Sequence, residues 1–119
     1  MTTFVKEGAE TIDAGLSKMK DAMIRDYIGF MPPKDENRKK MCENYENNFT
    51  ITYGKKYIKI TEKGGGVKAF VVGVDNDKVF KKGDILKPAG YAAPARNGAR
   101  GNILDGGYPI NWTGPLYMR

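Results

Sequence analysis

Arg96 and Arg100 lie four residues apart in the stretch APARNGARGN, residues 93–102, which contains no acidic and no large apolar side chain. Arginine side chains bind phosphate oxygens through paired hydrogen bonds. Asn97 and Asn102 add amide groups suited to a sugar or a base edge, and glycines let a ligand approach the backbone closely. The stretch is therefore predicted to bind a negatively charged ligand. A solvated basic connector is the alternative.

Lysines alternate with aromatic residues in the second half of the chain, which contains nine of its thirteen aromatic residues. Cations that follow the phosphates, together with rings that stack on bases, hold single strands without sequence preference. Sheets are rich in aromatic residues as well, and core packing is the alternative for Trp112. The further predicted contacts with nucleic acid are Lys56, Tyr57, Lys68, Phe70, Lys87, Tyr91 and Trp112.

The charge is distributed unevenly along the chain. Residues 1–48 carry eight Lys and Arg against nine Asp and Glu, whereas residues 49–119 carry twelve against five. A near-neutral half joined to a basic half indicates that the second half meets a polyanion.

The residue types argue against most catalytic and metal sites. The chain has no histidine and one cysteine, Cys42, which excludes an internal disulfide, thiolate-rich zinc sites and nucleophile–histidine pairs. The segment KGGGVK, residues 63–68, lacks the ending of a phosphate-binding loop. Residues 75–77 lack the spacing of a calcium loop and are predicted to form a turn. We therefore expect a protein that is not an enzyme and has no cofactor or metal.

Periodicity predicts the elements that must position these residues. An apolar stripe at helical spacing predicts a helix over residues 3–30, and Asp35 is predicted to cap a second helix at 36–46. From residue 49 the period is two, which predicts strands in FTITY, GKKYIKITEK and VKAFVVGV and shorter ones in KVF, DILK and YPINWTG. The prediction is an α+β fold: an N-terminal helical arm at 1–48, then a small twisted antiparallel β-sheet or open barrel at 49–119.

Small residues recur every seven positions in the first predicted helix, at Gly8, Gly15, Ala22 and Gly29. Glycine costs a helix about 1 kcal/mol relative to alanine, so close packing is expected along this line. The neighbour is either the protein's own sheet or a second copy, and we expect a homo-oligomer formed through this helix. No apolar run reaches the roughly 20 residues of a membrane span, and no secretory signal is evident.

The motif GDILKPAGYAAPARNGARGN, residues 83–102, follows YGKKYIKI and VKAFVV and precedes a terminal WTGPLYMR. In this region, from Tyr53 to Arg119, the chain resembles a family of small bacteriophage proteins, some of which bind single-stranded DNA. Tyr91 stands where the family more often has tryptophan.

The resemblance implies an oligomeric phage protein in the host cytoplasm that supports phage replication or transcription. Such a protein coats single-stranded DNA or recruits a phage RNA polymerase to it, and the residues do not distinguish DNA from RNA. The alternative function is an interaction protein that binds and diverts a host protein.

Overall fold

The computed structural model describes residues 2–116, so Tyr117 and Arg119 of the terminal motif lie outside the described residues. In chain order its elements are strand β1 (Thr3–Val5), helices α1 (Ile12–Phe30) and α2 (Glu36–Asn47), and strands β2 (Phe49–Tyr53), β3 (Tyr57–Glu62), β4 (Gly66–Val72), β5 (Ile85–Leu86), β6 (Tyr108–Asn111) and β7 (Gly114–Pro115).

The strands form two antiparallel sheets. One has the order β2-β3-β4-β5, and the other has the order β1-β6-β7. The predicted α+β class is confirmed. Within residues 2–116 the sheets remain separate and do not close into a barrel.

Helix α1 begins at Ile12, much later than the sequence pattern predicts. Thr11 is its N-cap, and the Thr11 hydroxyl accepts a hydrogen bond from the Ala14 amide at 3.1 Å. Thr3–Val5 instead form β1, which pairs with β6. The prediction of helix over residues 3–11 is wrong because part of this segment bonds to a distant strand, a partner that periodicity does not reveal.

The line of small residues lies against the chain's own loop. A Cβ atom at Gly15 would come 2.9 Å from the carbonyl oxygen of Ile103, and one at Gly8 would overlap the carbonyl oxygen of Leu104. Ala22 is fully buried. The close packing expected at Gly8 and Gly15 is therefore intramolecular. Oligomerisation through α1 stays a prediction, and this line of residues no longer supports it.

Helix α2 matches the predicted second helix and its predicted cap. The Asp35 carboxylate accepts a hydrogen bond from the Arg38 amide at 2.8 Å. On the inner side of the helix, Cys42 and Tyr45 are buried. The Cys42 thiol donates to the Met31 carbonyl at 3.2 Å, and burial raises its pKa, so Cys42 is a packing residue.

One hydrophobic core joins α1, β1 and both sheets. Its buried residues are Val5, Leu16, Met19, Ala22, Met23, Ile58, Ile60, Ala69, Val71, Ile85, Ile103, Tyr108 and Ile110. Alternate residues of β4 face the other way and form a smaller cluster with the loops that cover that side: Phe70, Val72, Phe80 and Leu86. We call this second side the outer face of the four-stranded sheet.

The motif at residues 83–102 forms an irregular hairpin. The Ile85 amide donates to the Gly101 carbonyl at 2.8 Å, and the Arg100 amide donates to the Ile85 carbonyl at 2.7 Å. The chain reverses around Tyr91. Because backbone bonds join the two arms, a stretch without large apolar residues is ordered all the same.

The predicted strand KVF, residues 78–80, is wrong. The Asp77 carboxylate accepts hydrogen bonds from the amides of Val79 and Phe80, both at 2.8 Å. Such bonds favour a turn over an extended strand, and this turn spans residues 77–80, starting at the last residue of the turn predicted at 75–77. The strand predicted in FTITY matches β2 at both ends.

Candidate nucleic-acid interface

Two depressions meet at the tip of the β3–β4 hairpin. The Tyr91 groove is lined by Gly66, Val67, Pro88, Ala89, Gly90 and Tyr91. The Trp112 pocket is lined chiefly by Tyr27, Asn44, Tyr45, Glu62, Lys68, Trp112 and the tip residues 63–65. Gly65 borders the pocket and Gly66 borders the groove, so consecutive residues separate the two. The exposed Lys63 lies at the same tip.

Tyr91 projects from the reversal of the 83–102 hairpin and is 72% exposed. The Lys59 ammonium lies 3.8 Å from the centroid of its ring and 3.3 Å from its carbonyl oxygen. Lys59 reaches the outer face because its neighbours in β3, Ile58 and Ile60, face the core. The structure therefore places a cation against an exposed ring. Sequence reasoning missed Lys59 as a site residue. Its position two residues after Tyr57 in a strand places both side chains on the same face.

Arg96 and Lys56 converge on the carboxylate of Asp77. The terminal nitrogens of Arg96 lie 3.1 and 3.2 Å from its oxygens, and the Lys56 ammonium lies 2.8 Å away. The hydrogen bonds from Arg96 and Lys56, followed by those from two backbone amides, hold the pKa of Asp77 well below its usual range. Arg96 also donates to the Tyr57 hydroxyl, and its guanidinium lies 4.9 Å from the centre of the Phe80 ring.

Residues 93–102 contain no acidic side chain, yet Arg96 is paired with the carboxylate of Asp77. Asp77 lies 19 residues away in sequence, and only the packing of its turn against the hairpin brings the two together. Two cations against one carboxylate leave a single net positive charge at this position.

Lys87 and Arg100 attach the hairpin to residues 115 and 116, and Asn97 bonds to Arg100 within the hairpin. Arg100 donates to the Leu116 carbonyl at 3.0 Å and to the Asn97 side chain at 2.9 Å. The Lys87 ammonium donates to the Pro115 carbonyl at 2.6 Å. Burial, with a smaller effect of Arg100, lowers the pKa of Lys87. In this structure all three predicted ligands make internal hydrogen bonds.

The structure overturns the predicted roles of Phe70 and Asn102, because both side chains are buried. Phe70 belongs to the cluster beneath the outer face and cannot stack on a base. The Asn102 amide nitrogen donates to the Lys82 carbonyl and the Asp84 carboxylate, each at 2.9 Å, and its oxygen accepts from two backbone amides. All the hydrogen-bonding capacity of Asn102 is used within the fold.

Trp112 combines core packing with exposure to the pocket. Its ring stacks on Phe30, with centroids 5.1 Å apart, and meets the rings of Tyr27 and Tyr45 edge-on at 5.5 and 6.4 Å. The Tyr45 hydroxyl donates to the Trp112 carbonyl at 2.5 Å, and burial raises the pKa of Tyr45. The half-buried Trp112 therefore forms part of an aromatic wall.

Lys68 reaches this wall through a β-bulge. Ile60 pairs with Ala69 and Thr61 pairs with Val67, so Lys68 is the extra residue between two paired positions. A bulge re-aims side chains, and the Lys68 ammonium lies on the side of the sheet that carries α1 and α2. The alternation of β4 predicts the opposite side.

Lys68, a predicted contact with nucleic acid, has a side chain that is 5% exposed and lines the Trp112 pocket rather than the outer face. Its ammonium lies 3.6 Å from the Glu62 carboxylate and 5.6 and 5.9 Å from the ring centroids of Trp112 and Tyr45. Sequence reasoning missed Tyr45 and Glu62, which precede the basic motif and carry no local signal.

The predicted residues thus separate into groups. Lys56, Tyr57, Arg96 and Tyr91 lie on the outer face, and Lys68 and Trp112 meet in the pocket. Lys87 and Arg100 bind residues 115 and 116, and Asn97 bonds to Arg100. Phe70 and Asn102 are buried.

Among the described residues, no helix has the length and apolar character needed to cross a membrane. Searches of the curated proteins and of the solved structures found no significant match. A family model does match residues 4–118, which is nearly the whole chain. The chain therefore belongs to DUF7717, a family of unknown function.

Proposed function

We propose that the protein binds single-stranded DNA without sequence preference, as a bacteriophage protein that acts in the host cytoplasm to support replication or transcription. One observation carries the proposal: two aromatic depressions, each with a lysine against its rings, border the same glycine-rich hairpin tip. A single-stranded nucleic acid that crosses the hairpin tip in an extended conformation contacts both depressions and the exposed Lys63.

The chemistry of the two depressions suits a flexible polyanion. Base stacking on an aromatic side chain contributes about 1–3 kcal/mol per base and tolerates any base, since every base has a π face. Tyr91 supplies such a ring on the outer face. Lys59, Lys63 and the net positive charge left at Asp77 provide the electrostatic attraction that phosphates require.

The internal bonds of the arginine loop revise its part in this function. Arg96 and Arg100 hold the hairpin in shape, and Arg96 contributes to phosphate binding through the residual charge that it shares with Lys56. We therefore assign the main strand contacts to Tyr91, Lys59 and Lys63.

The test is a fluorescence-anisotropy titration of labelled oligo(dT), oligo(U) and duplex DNA at low and at physiological salt. We expect salt-sensitive binding that favours the single strands over the duplex. Tyr91→Ala should weaken oligo(dT) binding about 5- to 150-fold, the equivalent of one lost stacking contact. Tyr53→Ala is the matched control, since Tyr53 is an exposed tyrosine of the same sheet outside both depressions.

A second control, Lys39→Ala, removes one exposed charge from α2 and should leave affinity nearly unchanged. Absence of binding to any of the three nucleic acids would overturn the proposal. Capture of a host protein by the purified chain would then favour the alternative, an interaction protein that diverts a host factor.

A further inference from the structure

The floor of the Trp112 pocket is a charged pair that the fold has buried. The Lys68 side chain is 5% exposed and that of Glu62 is 12% exposed. Burying charges is costly, and a buried pair offsets that cost only when further hydrogen bonds satisfy both groups. The bulge in β4 directs Lys68 toward this position.

The hydrogen-bonding capacity of this pair is not used up within residues 2–116. The ammonium and the carboxylate are 3.6 Å apart, which is longer than a hydrogen bond. The other described neighbours of the ammonium are the rings of Trp112 and Tyr45. An ammonium has three donors and a carboxylate has about four acceptor positions, so a donor and an acceptor stand side by side with capacity for a ligand.

A glycine at the hairpin tip lies directly against the pair. A Cβ atom at Gly65 would overlap the Glu62 carboxylate oxygen and would lie 2.8 Å from the Lys68 ammonium. Gly65 does not have a positive φ, so backbone conformation does not demand glycine there. The Gly65 backbone therefore packs directly on the pair, and any side chain at this position would displace one of the two charged groups.

The walls suit a flat ring. The half-buried rings of Trp112 and Tyr27 line the pocket beside the buried Tyr45, Asn44 adds an amide, and the pocket has a volume of about 350 Å³. That volume is within the range of small-molecule sites, in which apolar walls surround a few polar groups. A planar heterocycle with adjacent carbonyl and N–H groups fits both the walls and the floor.

We infer that this pocket binds a guanine base. The Lys68 ammonium donates to the ring carbonyl O6, and the Glu62 carboxylate accepts from the neighbouring N1–H and N2–H groups. Guanine places one carbonyl beside two N–H donors, which matches one ammonium beside a two-oxygen carboxylate. Thymine places a second carbonyl where guanine has its amino group, and adenine and cytosine have an amino group where guanine has O6.

This inference depends on the proposed function in one respect only, which is whether the guanine belongs to a bound nucleic-acid strand. If the base belongs to a bound strand, the pocket adds one preferred position to contacts that are otherwise indifferent to sequence. If the base belongs to a free nucleotide, the pocket is a guanine-nucleotide site that acts independently of strand binding.

Trp112 is the sole tryptophan of the chain, so its fluorescence reports directly on the pocket. The full chain is titrated with the 5′-monophosphates of guanosine, adenosine, cytidine and thymidine, with correction for nucleotide absorbance. We expect guanosine monophosphate to change the fluorescence at a concentration at least about 10-fold lower than the other three, a difference of about 1.4 kcal/mol. Equal responses to all four nucleotides, or none, would overturn the inference.

Two variants separate binding from folding. Glu62→Gln keeps the shape and removes the charge, and Gly65→Ala places a methyl group against the pair and displaces it; each should abolish the preference for guanosine monophosphate. Both are compared with wild type by thermal unfolding, and Lys39→Ala is the control. A folded Glu62→Gln variant that retains the preference would refute the assigned contacts, even if Gly65→Ala fails to fold.

Oligonucleotides distinguish the two proposals. Oligo(dT) with a single central guanine should bind at least about 3-fold more tightly than oligo(dT) in wild type and equally in Glu62→Gln. Binding of both oligonucleotides without this difference, and without the nucleotide preference, refutes the guanine pocket and leaves strand binding intact. A guanosine monophosphate response without strand binding refutes the proposed function and assigns the pocket to a free nucleotide.

Discussion

The buried carboxylate of Asp77 pairs with positively charged side chains from two separate parts of the chain. Lys56 approaches from the β2–β3 turn, Arg96 approaches from the hairpin, and two amides of its own turn complete the set. The residue thereby sets both the position of the hairpin and the charge that remains on the outer face. Asn102 has a comparable role inside the hairpin, where its four hydrogen bonds replace the core side chains that the loop lacks.

Asp77→Asn tests this role through pH. The pKa of Asp77 is lowered in the folded protein, chiefly by Arg96. The stability contributed by the ionised group is therefore fully present above its unfolded pKa of about 3.9, and it is lost as pH falls through the lower folded value. In urea unfolding, wild type should exceed the variant by a constant amount from about pH 5 to 8, and the difference should shrink below about pH 4.

Asp75→Asn serves as the matched control, since Asp75 is exposed in the same loop. Its effect on the urea midpoint should be small throughout the pH series. A difference for Asp77→Asn that stays undiminished at about pH 2 would contradict the assigned ionisation.

Contacts with distant parts of the chain determine where the helices and strands begin and where they are interrupted. Helix α1 begins only at Ile12 because the residues before it run beside β6 and the 103–105 loop. Strand β4 carries a bulge that moves Lys68 from the outer face to the helix side. In both cases pairing with another part of the chain decides the outcome: where the helix starts, and which side of the sheet the lysine reaches.

Gly15→Ala tests the packing of α1 on the 103–105 loop. Alanine favours a helix by about 1 kcal/mol over glycine, but its Cβ would lie 2.9 Å from the Ile103 carbonyl oxygen. Because a backbone atom cannot move aside cheaply, we expect a net loss of about 1–3 kcal/mol in the free energy of unfolding. Chemical denaturation measures the change.

Ser17→Ala on the exposed side of α1 is the control and should alter stability by no more than about 0.5 kcal/mol. A Gly15→Ala variant as stable as wild type would show that α1 stands further from the loop than the structure indicates.

Across the whole molecule, the helical part and the β part share one core. Leu16, Met19 and Met23 of α1 belong to the same cluster as Ile58, Val71 and Ile110 of the sheets. The buried carboxylate of Asp26 in α1 also accepts hydrogen bonds from Thr3 and from the Trp112 amide. The candidate interface is thus supported from behind by the helix, whose last turn forms part of the Trp112 pocket.

A fragment of residues 49–119 tests whether the two predicted domains are independent. Without α1 and β1 the core loses Val5, Leu16, Met19, Ala22 and Met23, and the exposed apolar surface leaves too little burial to offset chain entropy. We expect the fragment to lack a cooperative thermal transition by circular dichroism. The full chain should unfold in one transition.

A fragment that folds cooperatively would restore the division into an arm and a separate β domain. In that case strand binding by the fragment alone would show that the helices are dispensable for the proposed function.

Features that depend on neighbouring residues could be predicted from the amino-acid sequence. The apolar spacing from Ile12 onward, the Asp35 cap and the alternation in FTITY identified α1, α2 and β2, since helix periodicity, capping and strand pleat are local properties. Composition likewise located the basic and aromatic half. These signals were sufficient for the α+β class, which the structure confirms.

Tertiary structure alone decided which candidate side chains are available to a ligand. Phe70 and Tyr91 were both predicted to contact nucleic acid, yet one is buried and the other is exposed. Asp77 reaches Arg96 and Glu62 reaches Lys68 only because the turn, the hairpin and the bulge bring them together. Burial and charge pairing depend on atoms that are distant along the chain, so a pattern read along one strand or helix contains no information about them.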